Sequence, residues 1–242
     1  MTPQFSLGDL KPPLQPLYIN EVTDKTIFFN AQFESGNLRE VSKVSEFEYN
    51  LTLNFDHNTL NYSQWYFFSV RNIGKGHTVR FNINNLQKDD STYAIGMKPF
   101  VYSSKQNRMD KTHEWQRGGH DVRYYKNHHK TMDRECAPDY DWDQDLIVCY
   151  EYESEESMKI SLNTLSFSYT FQHENDIVFF SYFQPYTLSD LQDLLFALKT
   201  RYSEEHLNNV LKVQKLCDTM AGNPCYILTI TNDVKKNDIS LA

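Results

Sequence analysis

Eight histidines and four cysteines are the residues of this chain best suited to metal chemistry. His113, His120, His128, His129 and Cys136 form their densest group, in a polar stretch that also holds Gly118 and Gly119. A protein zinc site needs imidazole, thiolate or carboxylate ligands at intervals that bring them to one ion, with a coordination position left open if the metal is to work on a substrate. No such interval occurs. None of His57, His77, His113, His120, His128, His129, His173 and His206 opens an HxxE pair. His113-Glu114 and His173-Glu174 are adjacent pairs, whose side chains diverge on a strand or a helix. The cluster is therefore expected to be a long solvated loop that contains histidines, with no metal site.

Other constellations read in the same way. Lys105, Arg108 and Lys111 could meet an anionic tail, but Asp110 and Glu114 lie among them, as in a solvated mixed-charge loop. Glu151, Glu153, Glu155 and Glu156, after Asp139, Asp141, Asp143 and Asp145, could be a calcium loop in principle. They lack the EF-hand order of ligands and its central Gly, and an exposed insertion is expected. No GxSxG motif supports a Ser-His-Asp arrangement. The 16 Tyr and 16 Phe could stack on a sugar, yet most fall on alternating strand positions and read as core.

The elements that would position these residues are mostly strands. Phe47, Tyr49, Leu51, Leu53 and Phe55 alternate with Glu46, Glu48, Asn50, Thr52 and Asn54, the pattern of a half-buried strand. Trp65 to Val70 is almost wholly apolar, as for a strand covered on both faces. Gly74-Lys75-Gly76 turns the chain into a returning strand on Val79, Phe81 and Ile83. Leu165, Phe167, Tyr169 and Phe171 alternate with Ser166, Ser168, Thr170 and Gln172; after the polar turn His173 to Asp176, a strand from Ile177 to Phe183 is expected to complete a hairpin.

No helical period is seen before residue 187. From there Thr187 and Asp190 have the form of a capping box, and Leu188, Leu191, Leu194, Leu195 and Leu198 make a stripe at helical spacing. A second helical stretch is expected near Ser203, carrying Leu207 and Leu211, then strands from Val213 to Met220 and Tyr226 to Ile230 joined by Gly222-Asn223-Pro224. Residues 1–20, with Pro3, Pro12, Pro13 and Pro16, read as an extended leader.

Composition bounds the function. A net charge of −8 argues against a nucleic-acid partner, which would require a concentrated basic surface. No apolar run is long enough for a membrane helix, and Met1 to Phe5 begins no secretory signal, so no membrane partner and a cytoplasmic setting are expected. Cys136, Cys149, Cys217 and Cys225 contain no CxxC pair and are expected to be reduced, mostly packed thiols.

A series of local sequences carries a family resemblance. Phe33-Glu-Ser-Gly-Asn-Leu38, Gln64-Trp-Tyr-Phe-Phe68, Arg80-Phe-Asn-Ile-Asn-Asn85, Tyr93-Ala-Ile-Gly-Met-Lys-Pro99, Tyr102-Ser103, Trp115-Gln-Arg-Gly-Gly119, Tyr124-Tyr-Lys-Asn127, Pro185-Tyr-Thr187 and Leu216-Cys-Asp-Thr-Met-Ala-Gly-Asn223 occur in order. Together they resemble the amino-terminal region of the cytosolic carboxypeptidases, the tubulin-deglutamylating branch of the M14 zinc metallocarboxypeptidases. The acidic stretch before and after residue 150 departs from the family in sequence and length.

The resemblance implies a mainly β fold: an antiparallel β-sandwich followed by the opening helix and first strands of an α/β metallocarboxypeptidase domain. It implies residues 1–20 as leader, 21–186 as the sandwich and 187–242 as the incomplete start of the peptidase domain. It also implies a parent enzyme that uses zinc to remove glutamates from the acidic tails of tubulin or other glutamylated proteins, in the cytoplasm and in association with microtubules or cilia. The family's HxxE zinc motif, in a His-Pro-Gly-Glu context, normally follows the second of those strands and does not occur within residues 1–242. No catalytic, cofactor-binding or metal residue can therefore be placed on this chain, which by itself is expected to be inactive, without a cofactor, and to act by packing on a peptidase domain. The alternative reading is a stand-alone, non-catalytic binding or regulatory β-sandwich protein, and a carbohydrate-binding sandwich ranks third.

Overall fold

The computed structural model describes residues 27–56, 62–71, 73–127, 137–141, 146–150, 162–201, 210–220 and 222–231, with the backbone alone for 137–141, 146–150 and Lys199. The proline-rich leader, His128, His129, Cys136, the acidic run 151–156 and residues 202–209, where the second helical stretch was expected, lie outside the described residues. The chain divides into two compact units, one running to Pro185 and one beginning at Tyr186.

The first unit is built from two five-stranded sheets. One sheet has the order β1 (Phe28–Asn30), β4 (Phe67–Arg71), β12 (Ile177–Ser181), β6 (Phe100–Ser103) and β7 (Gln116–Arg117). The other runs β2 (Glu40–Ser45), β3 (Glu48–Thr52), β5 (Thr78–Leu86), β11 (Asn163–Thr170) and β8 (His120–Lys126). Strand β9 (Ala137–Asp141) pairs with β10 (Leu146–Tyr150) as a separate two-stranded ribbon. Alternation sends Phe29, Phe68, Val70, Val178 and Phe180 of the first sheet and Tyr49, Leu51, Phe81, Ile83, Leu165 and Phe167 of the second into one buried cluster. Phe81 and Phe180 meet with ring centroids 5.1 Å apart, and Phe68 stacks on Phe180 at 5.5 Å. Each such ring, fully withdrawn from water, contributes on the order of 1.5–3 kcal/mol, so this aromatic interior dominates the stability of the unit.

The apolar run at β4 is explained by its second face. Phe67 points away from the main core, where it joins Tyr102 and Phe179 in a second buried cluster roofed by Phe33, Trp65 and Trp115. The outer face of the other sheet is polar. Asn82 Nδ2 donates to Glu48 Oε1 and Asn50 Oδ1 at 2.9 and 3.1 Å, and Ser166 Oγ donates to Asn82 Oδ1 at 2.7 Å. Cross-strand pairs of this kind satisfy groups that central strands withdraw from water.

The sandwich is mixed in direction. Most neighbours are antiparallel, but β3 and β5 pair parallel, with Tyr49 opposite Phe81 and Leu51 opposite Ile83. The turn at Gly74–Gly76 and the turn at His173–Asp176 do not close hairpins: β4 and β5 lie in different sheets, as do β11 and β12, and each turn carries the chain across the sandwich. The stretch expected to be a loop around the histidines contains β7 and β8, the latter paired to β11 with Tyr124 opposite Leu165. A six-residue helix α1 (Ser104–Met109) also precedes residue 187, against the expectation of none. It arises from capping: Ser103 Oγ accepts from Gln106 N at 3.0 Å, while the Asp176 carboxylate accepts from Ser103 Oγ, Ser104 Oγ and Lys105 N. The polar residues of the 173–176 turn thus hold a helix instead of closing a hairpin.

In the second unit, helix α2 (Leu188–Arg201) begins as the capping box requires. Asp190 N donates to Thr187 Oγ1 at 3.1 Å, and Asp190 Oδ2 accepts from Thr187 N at 2.7 Å and from Thr187 Oγ1 at 2.8 Å. Of the leucine stripe, Leu195 is buried, Leu188, Leu191 and Leu198 are half-buried and Leu194 is exposed. Strands β13 (Leu211–Asp218) and β14 (Pro224–Ile230) form an antiparallel pair around the turn at Gly222.

Candidate functional site

Of the five residues His113, His120, His128, His129 and Cys136, only His113 and His120 fall among the described residues. His113 lies in the turn before β7, with its ring 6.2 Å from that of Tyr102 and its carbonyl accepting from Asn107 Nδ2. His120 opens β8 and contacts the Asp121 carboxylate at 3.1 Å and Thr170 Oγ1 at 3.2 Å. No group of three or more His, Cys, Asp or Glu side chains that could hold a metal ion occurs among the described residues. The basic residues of α1 serve local structure: Lys105 Nζ donates to the Glu174 carbonyl at 2.8 Å, and Arg108 Nε donates to the Ser104 carbonyl at 3.3 Å.

The family-like segments instead build two joints. At the first, Phe33 packs edge-on against Phe67 at 4.7 Å, and Asn37 ties three chain segments together. Its Nδ2 donates to the Trp65 and Asn54 carbonyls, its Oδ1 accepts from Asn54 N, and its backbone bridges to Phe67. Gly36 is required by contact: a Cβ there would lie 2.0 Å from the Ala31 carbonyl oxygen. The indole of Trp65 completes the joint by donating to the Ser35 carbonyl at 2.7 Å.

The second joint is a corner formed by a 3-10 turn (Thr92–Ile95) and the start of β6. Ser91 caps the turn, and Gly96, at φ 104°, reverses the chain so that Met97 N reaches the Thr92 carbonyl. Tyr93 is drawn inside, its hydroxyl 2.6 Å from that of Tyr66, with the Tyr182 ring edge-on to both. Burial, followed by the neighbouring Tyr93 charge and hydrogen bond, holds the Tyr66 phenol well above its ordinary range. Burial likewise raises Tyr93. Both are neutral hydrogen-bonding groups at physiological pH.

Tyr93 turns inward and Ile95 turns outward, leaving it 85% exposed. Beside the same segment, Arg117 donates to the Lys98 carbonyl at 2.5 Å and lays its guanidinium 4.0 Å over the Phe100 ring and 5.5 Å from that of Phe183, itself 55% exposed. Gly118 lets this arrangement close, since its N donates to the Pro99 carbonyl and a Cβ would press on Val101. A surface of aromatic and aliphatic groups around one stacked guanidinium has the composition of a protein contact surface. Sequence reading singled out the segments but not the corner, because Phe100, Arg117 and Phe183 meet only when β6, β7 and the end of β12 are laid together. Phe183, expected inside the strand, lies two residues beyond the end of β12.

The fold is that of a β-sandwich domain with exposed apolar groups at one corner. Residues 29–133 match the family described as the cytosolic carboxypeptidase N-terminal domain. The chain is 37% identical over 204 residues to cytosolic carboxypeptidase 2 of Xenopus tropicalis, covering 84% of this chain and 18% of that protein. It is 36% identical over 223 residues to cytosolic carboxypeptidase 1 of Danio rerio, covering 92% of this chain and 17% of the relative. This chain therefore carries the amino-terminal domain of the cytosolic carboxypeptidase family and spans about a fifth of the length of these relatives. A crystal structure described as a carboxypeptidase A from Shewanella denitrificans superimposes over 85% of the chain and 40% of its own, with a TM-score of 0.50 at 17% identity, a likeness of fold.

Proposed function

We propose that this chain is the non-catalytic amino-terminal part of a cytosolic zinc metallocarboxypeptidase that removes glutamates from acidic protein tails such as those of tubulin. The observation that carries this reading is the alignment at 37% identity across 84% of the chain; the short segments that resemble the family build the joints and much of the core that hold the sandwich. In this reading residues 21–186 form the supporting domain and 187–242 open the peptidase domain. The names of its relatives, cytosolic carboxypeptidases, support a cytoplasmic setting for the parent enzyme, with microtubules or cilia as the setting that a tubulin substrate implies. Zinc, the general base and the group that holds the substrate's terminal carboxylate belong to the catalytic sequence of that enzyme. The sandwich supports folding of the peptidase portion or substrate access, and the corner of Ile95, Phe100, Arg117 and Phe183 is the surface assigned to that task.

The test compares two proteins on a peptide ending in several glutamates, with released glutamate as the readout. The chain alone, with zinc added, should release none. Fused to the catalytic portion of a family member it should yield zinc-dependent release, and Ile95→Asp should lower the soluble yield or turnover of the fusion while leaving the unfolding free energy of the isolated sandwich within about 0.5 kcal/mol of the parent. Zinc-dependent release by the chain alone would overturn the reading.

A further inference from the structure

Two of the cysteines sit where the family reading gives them no task. Cys217 and Cys225 are direct partners across the β13–β14 pair. Their pairing type follows from the turn: Thr219 N donates to the Asn223 carbonyl at 2.7 Å while the Thr219 carbonyl accepts from Gly222 N at 2.8 Å, so Thr219 and Asn223 hold the hydrogen-bonded position that closes the ladder, through a single bond. Asp218 opposite Pro224 comes next, at the non-bonded position that a residue without an N–H can occupy. Alternation makes Cys217 and Cys225 the next hydrogen-bonded pair, with Cα atoms about 5.5 Å apart and both side chains on one face. That separation is the usual one for a disulfide. The register shift at Leu216 adds a bulge beside the pair, which increases local twist and re-aims the flanking side chain. Both thiols are free, Cys217 is exposed while Cys225 is half-exposed, and desolvation, followed by the hydrogen bond and charge of the neighbouring Cys225, pushes the Cys217 thiol up from its ordinary value.

We propose that Cys217 and Cys225 form a reversible disulfide, a thiol-modification site on the β13–β14 pair, with glutathione disulfide or a disulfide of the same chemical class as oxidant. The exposed Cys217 thiolate attacks one sulfur of glutathione disulfide, forming a mixed disulfide and releasing one glutathione thiolate. The Cys225 thiolate then attacks the Cys217 sulfur, closing the Cys217–Cys225 bond and releasing the second. The two protons lost by the cysteines end on the two glutathione thiols, and the two electrons removed from the pair reduce the glutathione disulfide. The bond staples the turn at Gly222 and fixes the register of the two strands. In a thiol-rich compartment a bond of this kind is transient and reports redox state.

The experiment incubates the reduced chain with glutathione disulfide, quenches with acid, alkylates and digests with trypsin. Cleavage after Lys215 and Lys235 leaves both cysteines in one peptide, so Cys136 and Cys149 do not enter the readout. The expected product is that peptide two hydrogens lighter and free of alkyl groups. Cys225→Ser should instead accumulate a stable glutathione adduct on Cys217. Ring closure should be about tenfold faster in the folded chain than in urea, because the register raises the effective concentration of one thiol at the other. A doubly alkylated peptide, a persistent glutathione adduct in the unsubstituted chain, or equal rates in buffer and urea would each overturn the proposal.

Discussion

Gly36 and Asn37 show how much of this domain rests on single atoms. The missing Cβ of Gly36 leaves room for the Ala31 carbonyl, and the Asn37 amide satisfies groups on two other segments. Gly36→Ala is expected to destabilise the first unit by about 2–4 kcal/mol, because a backbone oxygen cannot move aside without shifting its strand. Asn37→Ala should cost about 1–3 kcal/mol through the donors and acceptors it leaves unpaired. Urea unfolding followed by the fluorescence of Trp65 and Trp115 checks both. Tyr66 and Tyr93 make the domain sensitive to alkali. Their folded pKa values are raised above 10.0, so the stability they contribute is intact below pH 10 and is lost as pH rises towards the folded values. Each should remove about 1.4 kcal/mol per pH unit above 10 until it ionises. Tyrosinate absorbance should therefore rise cooperatively with loss of the near-UV circular dichroism. A gradual rise with the fold intact would show that these phenols reach water.

Elements in this chain are set by their ends. Helix α2 starts at Thr187 and Asp190, whose reciprocal bonds satisfy donors that the first turn would leave open. Thr187→Ala should weaken its first turn by about 1 kcal/mol, read as several-fold faster amide exchange over residues 188–194 with exchange in β5 and β11 unchanged. The capping box was legible from two side chains three residues apart. Helix α1 was not, because its cap is completed by Asp176, 73 residues from Ser103. The polar turn containing Asp176 looked like a hairpin turn for the same reason: its purpose lies in contacts far along the chain. Alternation along β3, β5 and β11 identified those strands, whereas the β8 region, rich in His, Arg and Tyr with few aliphatic residues, read as loop although its backbone pairs along β11.

The two units of the molecule differ in what covers them. The first closes an aromatic core between two five-stranded sheets. In the second, α2 leaves Phe196 69% exposed, and β13 and β14 form a two-stranded sheet with Leu216 and Ile230 exposed. An isolated two-stranded pair is marginal in water, and an apolar surface of this kind calls for a covering partner. Limited proteolysis should therefore cut the chain after Tyr186 well before it cuts β4, β5, β11 or β12. Equal resistance of both parts would favour a self-sufficient protein. The amino-acid sequence alone determined the class of fold, most strand positions, the start of α2 and the family resemblance, since periodicity, capping residues and ordered short motifs are local properties of a chain. Only the tertiary structure decided which strands share a sheet, that β3 and β5 run parallel, that two turns cross the sandwich, and that Arg117 lies on Phe100 beside Phe183. These are choices among partners far apart in sequence, and they are settled by which arrangement buries the aromatic faces while pairing the polar groups left beside them.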